Sequence, residues 1–521
     1  MQYVTATELS GLMGSNSLYA VFDIRERGEY NARQISFATS LPRSQIEFRI
    51  ADLVPNRAIP LVVYDEGGDR AGLAALTLTD LGYTAVSVLT GGLPAWQRQG
   101  LPVTSGVNVP SKAFGEKVQR GEAIPEISSE ELKQLIDANS DIVIFDVRTP
   151  EEYARFCIPG GLNVPGGDLV LWAHHLKQTP HTKFIVNCAG RTRSIIGTAV
   201  LRRLGLTNVF ELRNGTMGWV LAGFDLEANP NRRTAVAPEE SRATANDLAL
   251  KIADDEKIAR ISCEELAKPA KTRADEVRYI LDVRSADEYD RDHIAGSLSV
   301  PGGQAVQRAD DFIAVRNGKI VFVSNRSARA IMAAYWYVKM GFRDVAVLNG
   351  GITSWLESGR RLARGAERAE PLGYEKALST AKLLKPAQSQ ALAHDPSVAI
   401  LDVGESNAYK AAHLAGAHWI SRGWLEPKLP EFVPDKSASI LMTCPDGQNS
   451  VLAARTLREL GYADVTVLEG GVNAWRTAGY PTETGMTSCW SEANDVVLSP
   501  SITGDKQAMQ QYLDWEVRLK H

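Results

Sequence analysis

The sequence predicts an α/β protein of four tandem domains, each a mainly parallel sheet with helices on both faces. Three observations lead to this prediction. The chain has 521 residues, which is too long for a single hydrophobic core. One pattern, an Asp that ends an apolar strand and a later Trp that follows a Gly-rich turn, occurs four times. Within each copy, short apolar strands alternate with helical segments, as parallel sheets require.

The four copies share one internal spacing. The step from Asp to Trp is 73 residues in each, at positions 23 to 96, 146 to 219, 282 to 355 and 402 to 475. Solenoid repeats are much shorter than the distance between these copies, so each copy is a domain of its own. We predict domain 1 at residues 1–107, domain 2 at 122–227, domain 3 at 257–366 and domain 4 at 373–485. Residues 228–256 are predicted to be a polar linker, and residues 486–521 a tail containing a helix docked on the surface.

The same order of elements is expected in each domain. The first three begin with a capping-box signature, a Ser or Thr followed three residues later by Glu, at Thr5, Ser128 and Ser262. The Asp strand comes next, then a helix through a Glu-Tyr segment, a second apolar strand, a loop, another helix and a last strand. The loop therefore lies at the carboxyl end of one strand and the amino end of a helix, where open α/β sheets bind ligands.

The position 42 residues after each Asp begins this loop and differs among the domains. It is Asp65, Cys188, Ser324 and Cys444, in loops that read DEGGDRA, CAGRTRS, SNRSARA and CPDGQNS. A cysteine at a helix amino end, with two arginines beside it, is expected to have a lowered thiol pKa and to attract anions. We therefore predict that Cys188 is a nucleophile and that domains 1 and 3, which lack the thiol, are inactive.

The offset of the arginine indicates which anion the loop suits. Arg193 lies five residues after Cys188, whereas Cys-dependent phosphatases place the arginine six residues after the cysteine, around a tetrahedral phosphate. The shorter loop favours transfer of a single sulfur atom to the thiolate, and it disfavours the alternative of phosphoester hydrolysis.

Three motifs in fixed register resemble the rhodanese family of sulfurtransferases. They are the Asp-Val-Arg-x-x-x-Glu-Tyr segment, the six-residue loop opened by Cys, and the Gly-Gly-x-x-x-Trp ending. The resemblance implies that Cys188 takes the outer sulfur of thiosulfate as a persulfide and passes it to a thiophilic acceptor such as cyanide. It also implies that the loop residues bind the substrate, namely Ala189, Gly190, Arg191, Thr192 and Arg193. No metal or organic cofactor is implied.

Cys444 is predicted to be a second, weaker site. Asn449 stands where Arg193 stands in domain 2, and Asp446 adds a negative charge beside the thiol. Both changes raise the expected thiol pKa and weaken the binding of a dianion. Cys444 could serve a monoanionic donor, receive sulfur from elsewhere or be idle.

Several residues near the motifs are expected to be structural. Asp146 and Arg148 recur in the thiol-free domains, so we interpret them as an ion pair that supports the loop. Cys157 stands where domains 3 and 4 have His293 and His413, which favours a structural role over that of a resolving thiol. No role is predicted for Cys263 or Cys489.

Composition excludes several classes of function. A net charge of −5 and a pI near 6.0 give no basic surface for nucleic acid or anionic membranes. Five cysteines without a CxxC pair, and no secretory signal, favour a cytoplasmic protein without disulfides or zinc. The expected partners are a small sulfur donor and an acceptor, and the acceptor could be a protein thiol. The alternative to an enzyme is a sulfur-carrier or interaction scaffold that relays persulfide to a partner protein.

Overall fold

The computed structural model describes residues 1–232, 234–269, 276–365 and 370–519. It contains four five-stranded parallel sheets flanked by helices, which confirms the predicted fold. In every sheet the central strand is the one that precedes the loop beginning with Asp65, Cys188, Ser324 or Cys444. The strand that ends in the repeated Asp lies beside it. Central strands are covered on both faces, which explains their continuous apolar sequence.

Domain 1 has the strand order β1-β6-β5-β2-β4. Its strands are β1 (Gln2–Val4), β2 (Ala20–Asp23), β3 (Gln34–Ile35), β4 (Thr39–Ser40), β5 (Leu61–Tyr64), β6 (Val86–Leu89) and β7 (Val103–Thr104). Its helices are α1 (Ala6–Met13), α2 (Arg27–Ala32), α3 (Ile46–Leu53), α4 (Arg70–Asp80) and α5 (Gly92–Arg98). Helix α6 (Val109–Gly121) then connects domain 1 to domain 2.

Domain 2 repeats this topology as β8-β13-β12-β9-β11. Its strands are β8 (Glu126–Ile127), β9 (Ile142–Asp146), β10 (Phe156–Cys157), β11 (Leu162–Asn163), β12 (Lys183–Asn187), β13 (Val209–Leu212) and β14 (Glu227–Ala228). Its helices are α7 (Ser129–Asp137), α8 (Pro150–Arg155), α9 (Leu169–Leu176), α10 (Thr192–Arg203) and α11 (Gly215–Leu221).

The segment predicted as a polar linker contains helix α12 (Glu239–Asp255). This helix packs on α9 of domain 2 and on the long helix of domain 3, with Ala245 and Ala249 buried at the contact. A stripe of small residues lets the helices approach closely, so the linker is part of the core between the two domains.

Domain 3 has the strand order β15-β19-β18-β16-β17. Its strands are β15 (Ala259–Ile261), β16 (Arg278–Asp282), β17 (Leu298–Ser299), β18 (Lys319–Val323) and β19 (Val345–Leu348). Its helices are α13 (Cys263–Ala267), α14 (Ala286–Arg291), α15 (Gly302–Gln307), α16 (Ala309–Phe312), α17 (Ala328–Lys339) and α18 (Gly351–Glu357). Helix α19 (Tyr374–Leu378) precedes domain 4.

Domain 4 has the strand order β20-β24-β23-β21-β22. Its strands are β20 (Lys382–Leu384), β21 (Ala399–Asp402), β22 (His418–Trp419), β23 (Ser439–Thr443) and β24 (Asp464–Leu468). Its helices are α20 (Pro386–Ala393), α21 (Ser406–Ala411), α22 (Leu425–Phe432), α23 (Gln448–Glu459) and α24 (Gly471–Thr477). The tail contains α25 (Pro500–Thr503) and α26 (Lys506–Arg518).

The domains pair through equivalent segments, domain 2 with 3 and domain 1 with 4. Gly167 of domain 2 lies so close to Gly302 of domain 3 that an added Cβ would be 3.0 Å from the backbone there. Between domains 1 and 4, Arg43 pairs with Glu426 and Arg422 with Glu47, each at 2.5 Å. Among the described residues, no helix is both long and apolar enough to cross a membrane.

Candidate active site

Cys188 lies between β12 and α10, as the sequence predicts. Cys188 is 2% exposed, and its thiol is 3.4 Å from the hydroxyl of Ser194, the third residue of α10. Burial raises the pKa of the Cys188 thiol, and this effect outweighs Arg193 and the hydrogen bonds from Ser194, which lower it. The prediction of a lowered thiol pKa is therefore wrong, because the sequence does not show how completely the sulfur is enclosed.

Gly215, in the Gly-rich turn that precedes Trp219, packs against the backbone of the Cys188 loop. Gly215 has φ +56°, and a Cβ on it would lie 2.2 Å from the carbonyl oxygen of Cys188. The amide of Thr216 donates to that oxygen at 2.9 Å. Gly92, Gly351 and Gly471 stand in the same place under the other three loops. Only glycine fits there, so this motif fixes the position of the loop backbone.

Both loop arginines are buried and already paired. Arg191 donates to Glu116 of α6 at 2.5 Å, and Arg193 makes two bonds to Glu152 of α8 at 2.6 and 2.8 Å. Burial would raise the pKa of Glu152, but Arg193 and the amide of Thr149 bring it down to about 2. The two guanidinium groups therefore lie at the loop, and each is hydrogen-bonded to one carboxylate.

The predicted supporting ion pair is present. Arg148 Nη2 lies 2.7 Å from Asp146 Oδ2, and both side chains are buried. Arg148 also donates to the carbonyl of Phe156, which joins the end of β9 to the segment after α8. Domains 1 and 3 contain the same pair, as Arg25 with Asp23 and Arg284 with Asp282.

The equivalent loop of domain 1 binds its own carboxylate. Asp65 accepts from the amides of Gly67, Gly68 and Ala71 at 2.7, 3.1 and 3.0 Å. In register, these amides correspond to Gly190, Arg191 and Ser194 of domain 2. A loop of this length therefore directs its N–H groups toward an anion at its centre.

Domain 3 has neither a thiol nor a carboxylate at this position. The Ser324 hydroxyl donates to the carbonyl of Arg326 at 3.0 Å and accepts from the amide of Ala330 at 3.3 Å. Arg329 is held by Glu288 and by Asp168 of domain 2, each at 2.8 Å. The serine closes its loop by local hydrogen bonds, and no basic side chain among the described residues hydrogen-bonds to it.

Cys444 is fully buried in the domain 4 loop. Its sulfur accepts from the Ser450 hydroxyl at 2.9 Å and from the amide of Gly447 at 3.2 Å. Burial raises the pKa of the Cys444 thiol to about 11, and Asp446 adds to the rise while Ser450 opposes it. The predicted rise in this pKa is confirmed, although burial contributes more to it than the charge of Asp446.

The C-terminal helix α26 covers the Cys188 loop, which sequence reasoning missed. Glu516 accepts from the Thr192 hydroxyl at 2.8 Å, and Tyr512 lies against Gly190. Met509 and Leu513 pack on Met217 at the start of α11. The tail helix was predicted to be docked without a role, and its apolar spacing gave no sign of which domain it would contact.

The remaining cysteines lie away from this loop. Cys157 is buried beside Arg232 Nη2, at 3.2 Å, and burial raises the pKa of its thiol to about 11. Cys263 is buried in α13, and Cys489 is exposed in the tail. Within the described part of the chain, no cluster of His, Cys, Asp or Glu could hold a metal ion.

The fold and the four loops define a class of protein. The rhodanese-like domain profile matches residues 5–99, 128–222, 262–358 and 385–478. The chain therefore belongs to the rhodanese family, and it is an enzyme of the sulfurtransferase class.

Individual relatives support this assignment. The crystal structure of thiosulfate sulfurtransferase from Pseudomonas aeruginosa superposes with a TM-score of 0.92 at 37% identity, over 100% of this chain and 97% of that one. Thiosulfate sulfurtransferase GlpE of Pseudomonas fluorescens is 32% identical over 108 residues, 20% of this chain and 94% of the relative. The putative sulfur carrier protein YrkF of Bacillus subtilis is 31% identical over 101 residues, 19% of this chain and 54% of that protein.

Proposed function

We propose that this sulfurtransferase takes the outer sulfur of thiosulfate onto Cys188 and passes it to a thiophilic acceptor such as cyanide or a protein thiol. The thiolate attacks the outer sulfur, a new S–S bond forms, and the old S–S bond breaks with its electron pair leaving as sulfite. The Cys188 sulfur is oxidised and the sulfonate sulfur is reduced. The acceptor then attacks the outer persulfide sulfur and restores the thiolate.

The arrangement of the Asp65 carboxylate in domain 1 carries the proposal. It supports a loop whose amides hold one compact anion, and in domain 2 the amides of residues 189–193 would hold the transferred sulfur. Arg191 and Arg193 would share their charge with the sulfonate of the donor, because each keeps donor groups beyond those bound to its glutamate. The thiosulfate specificity in the names of the relatives agrees with this chemistry.

Cys444 is proposed as a second site with low activity toward thiosulfate. Domain 4 lacks the ion pair that Arg193 and Glu152 form beside the domain 2 loop. Asn449 stands at the position of the arginine and Ala408 at that of the glutamate. A cytoplasmic location belongs to the same proposal, and the five free cysteines support it.

Thiocyanate formation from thiosulfate and cyanide tests the proposal. Cys188→Ala should lower the rate by about 10³-fold or more, as loss of a nucleophile does in other covalent enzymes, while Cys444→Ala should keep most of it. Intact-mass analysis after thiosulfate treatment should show one added sulfur that Cys188→Ala lacks. Unchanged turnover in Cys188→Ala would refute the assignment. Hydrolysis of p-nitrophenyl phosphate would instead support the phosphatase alternative.

A further inference from the structure

A buried carboxyl group lies two hydrogen bonds from the sulfur of Cys188. The thiol is 3.4 Å from Ser194 Oγ, and Ser194 Oγ is 2.8 Å from Glu211 Oε2. Glu211 lies on β13, the strand next to β12, which ends one residue before Cys188. The hydrogen bonds thus run without a break from the thiol through the hydroxyl to the carboxyl group. Solvent does not reach this series, because Ser194 and Glu211 are fully buried.

The other three domains show that the fold does not need this carboxyl group. The equivalent positions on β6, β19 and β24 are Val88, Val347 and Val467, each 65 residues after its Asp, as Glu211 is after Asp146. A valine suits a strand in a buried sheet, whereas a carboxyl group there costs free energy unless it has a partner.

The hydroxyl follows the thiol from domain to domain. The position of Ser194 is Ala71 and Ala330 in the two domains without a cysteine, and Ser450 in the other domain with one. Domain 2 alone combines the thiol, the hydroxyl and the carboxyl group.

The charges around Glu211 leave it able to change its protonation state. Burial raises the pKa of Glu211 to about 8, while Arg191 and Ser194 lower it and Glu126 and Glu116 add to the rise. The resting group is therefore a carboxylate, able to accept a proton, at pH values above about 8. Arg191 Nη1 is 4.0 Å from Oε1, and Oε1 has no hydrogen-bond partner among the described residues. Around the sulfur itself the charged groups are Arg193 and Glu211, with Tyr512 of α26 also nearby.

We propose that Glu211 receives the proton of the Cys188 thiol through Ser194 when the sulfur becomes an anion, and keeps it while the persulfide exists. This inference rests on the proposed function. The thiol gives its proton to Ser194 Oγ, and Ser194 passes its own proton to Glu211 Oε2, so a thiolate and a neutral carboxylic acid replace a thiol and a carboxylate. Glu211 is a positioning residue for the proton, since it acts through Ser194 and touches neither sulfur nor donor.

The hydrogen bonds around Ser194 allow this exchange. Its hydroxyl also lies 2.8 Å from the carbonyl oxygen of Arg191. Once protonated, Glu211 becomes the donor to Ser194 Oγ, and the Ser194 proton is free to turn to that carbonyl or to the thiolate.

The exchange keeps the net charge of the buried site constant. Attack on thiosulfate converts the thiolate into a persulfide anion and releases sulfite, and attack by cyanide converts it back, so neither step needs the stored proton. A thiolate formed by losing its proton to water would add an uncompensated negative charge where a dianionic donor has to bind. Cys444 has the hydroxyl but not the carboxyl group, which agrees with its lower expected activity.

Two variants test the proposal, both in a Cys444→Ser background. Glu211→Val places the residue of the other three domains at this position, and Glu211→Gln preserves shape. We expect persulfide formation at about pH 8.5, where Glu211 is ionised at rest and the thiol is not, to be about 10²-fold slower in both, the magnitude typical of a lost proton-transfer group. The deficit should shrink as pH rises toward the thiol pKa, because hydroxide then removes the proton. A deficit that stays constant at all pH values would indicate only a structural role and would overturn the proposal.

Proton release gives a second measurement that does not depend on rates. Protons released per sulfur bound are counted with an indicator dye, and bound sulfur is counted by mass. Every variant releases one sulfite per sulfur, so the contribution of sulfite cancels between them. At about pH 8.5, Glu211→Val and Ser194→Ala should release about one proton more than the parent, whereas Glu151→Gln, which removes an exposed carboxylate of α8, should match the parent. Equal release in the parent and Glu211→Val would overturn the proposal.

The donor assignment is kept separate from this test. If mass analysis shows that thiosulfate loads no sulfur on Cys188, the proposed donor is refuted, and inorganic polysulfide is used to load the persulfide for the same proton count. Protons retained with polysulfide support Glu211 as the acceptor whatever the natural donor is, and protons released to the same extent in all variants refute it.

Discussion

Arg193 and Glu152 form a two-bonded ion pair at 2.6 and 2.8 Å that joins the Cys188 loop to helix α8. Domains 1 and 3 contain the same pair, as Arg70 with Glu29 and Arg329 with Glu288. Domain 4 has lost both partners. The pair thus recurs where there is no thiol, so its first role is to hold the loop in place. The contribution of Arg193 to binding the sulfonate of the donor is a second, proposed role that concerns domain 2.

Glu152 should make the stability of domain 2 depend on acid. Its pKa falls to about 2 in the folded protein, from an ordinary value of 4.5. A lowered folded pKa stabilises the protein above the unfolded value, and that contribution is lost as pH falls from 4.5 toward 2. Glu152→Gln should therefore lower the temperature of unfolding by several degrees at pH 7 and by much less at pH 3, as measured by calorimetry.

Glu151→Gln is the matched control for this experiment. It is a neighbouring carboxylate on α8 that makes no ion pair among the described residues. An equal loss of stability for Glu152→Gln at both pH values would show that the ion pair contributes nothing in this range.

The repeat in the sequence predicted much of this site, because it places equivalent residues in register. Cys188 and the Asp146–Arg148 pair follow from comparing the four copies, which also show the recurring Gly-rich turn but not its contact with the loop. Glu116 and Glu516 could not be predicted, because they reach the loop from a connecting helix and from the tail, where no repeat exists. Glu211 was missed although a signal was present, since it is a glutamate at a strand position that is valine in the other three copies.

Removing the carboxylate of Asp65 should open an anion site in domain 1. In Asp65→Ala, the amides of Gly67, Gly68 and Ala71 lose their acceptor and become available to a small dianion. We expect a lower unfolding temperature without salt and a rise with sulfate that exceeds the rise in the parent protein. Ser324→Ala serves as the control, since that serine bonds only within its loop. An identical response to sulfate in Asp65→Ala and the parent would contradict the picture of the amides as an anion cradle.

Restoring the missing ion pair should improve Cys444 as a thiosulfate site. We expect the double variant Ala408→Glu with Asn449→Arg, made in a Cys188→Ser background, to gain sulfur from thiosulfate at least about tenfold faster than that background. Intact mass over time measures the gain. Ala408→Glu alone adds a negative charge without its partner and should not improve loading. A double variant that loads no faster would show that burial, rather than the lost arginine, limits Cys444.

The cover that α26 places over the Cys188 loop should slow reagents that approach the thiol. Leu513 is buried against Met217, so Leu513→Asp would put a charge into an apolar contact and release the helix in the full-length chain. Alkylation of Cys188 by iodoacetamide, followed by peptide mass, should become about tenfold faster or more, because the opening free energy of a docked helix is a few kcal/mol. Val517→Asp changes a residue on the same helix that is 46% exposed, and its alkylation rate should match the parent. Equal rates in all three proteins would mean that the thiol is reached by a route that α26 does not cover, and that the helix serves only to stabilise domain 2.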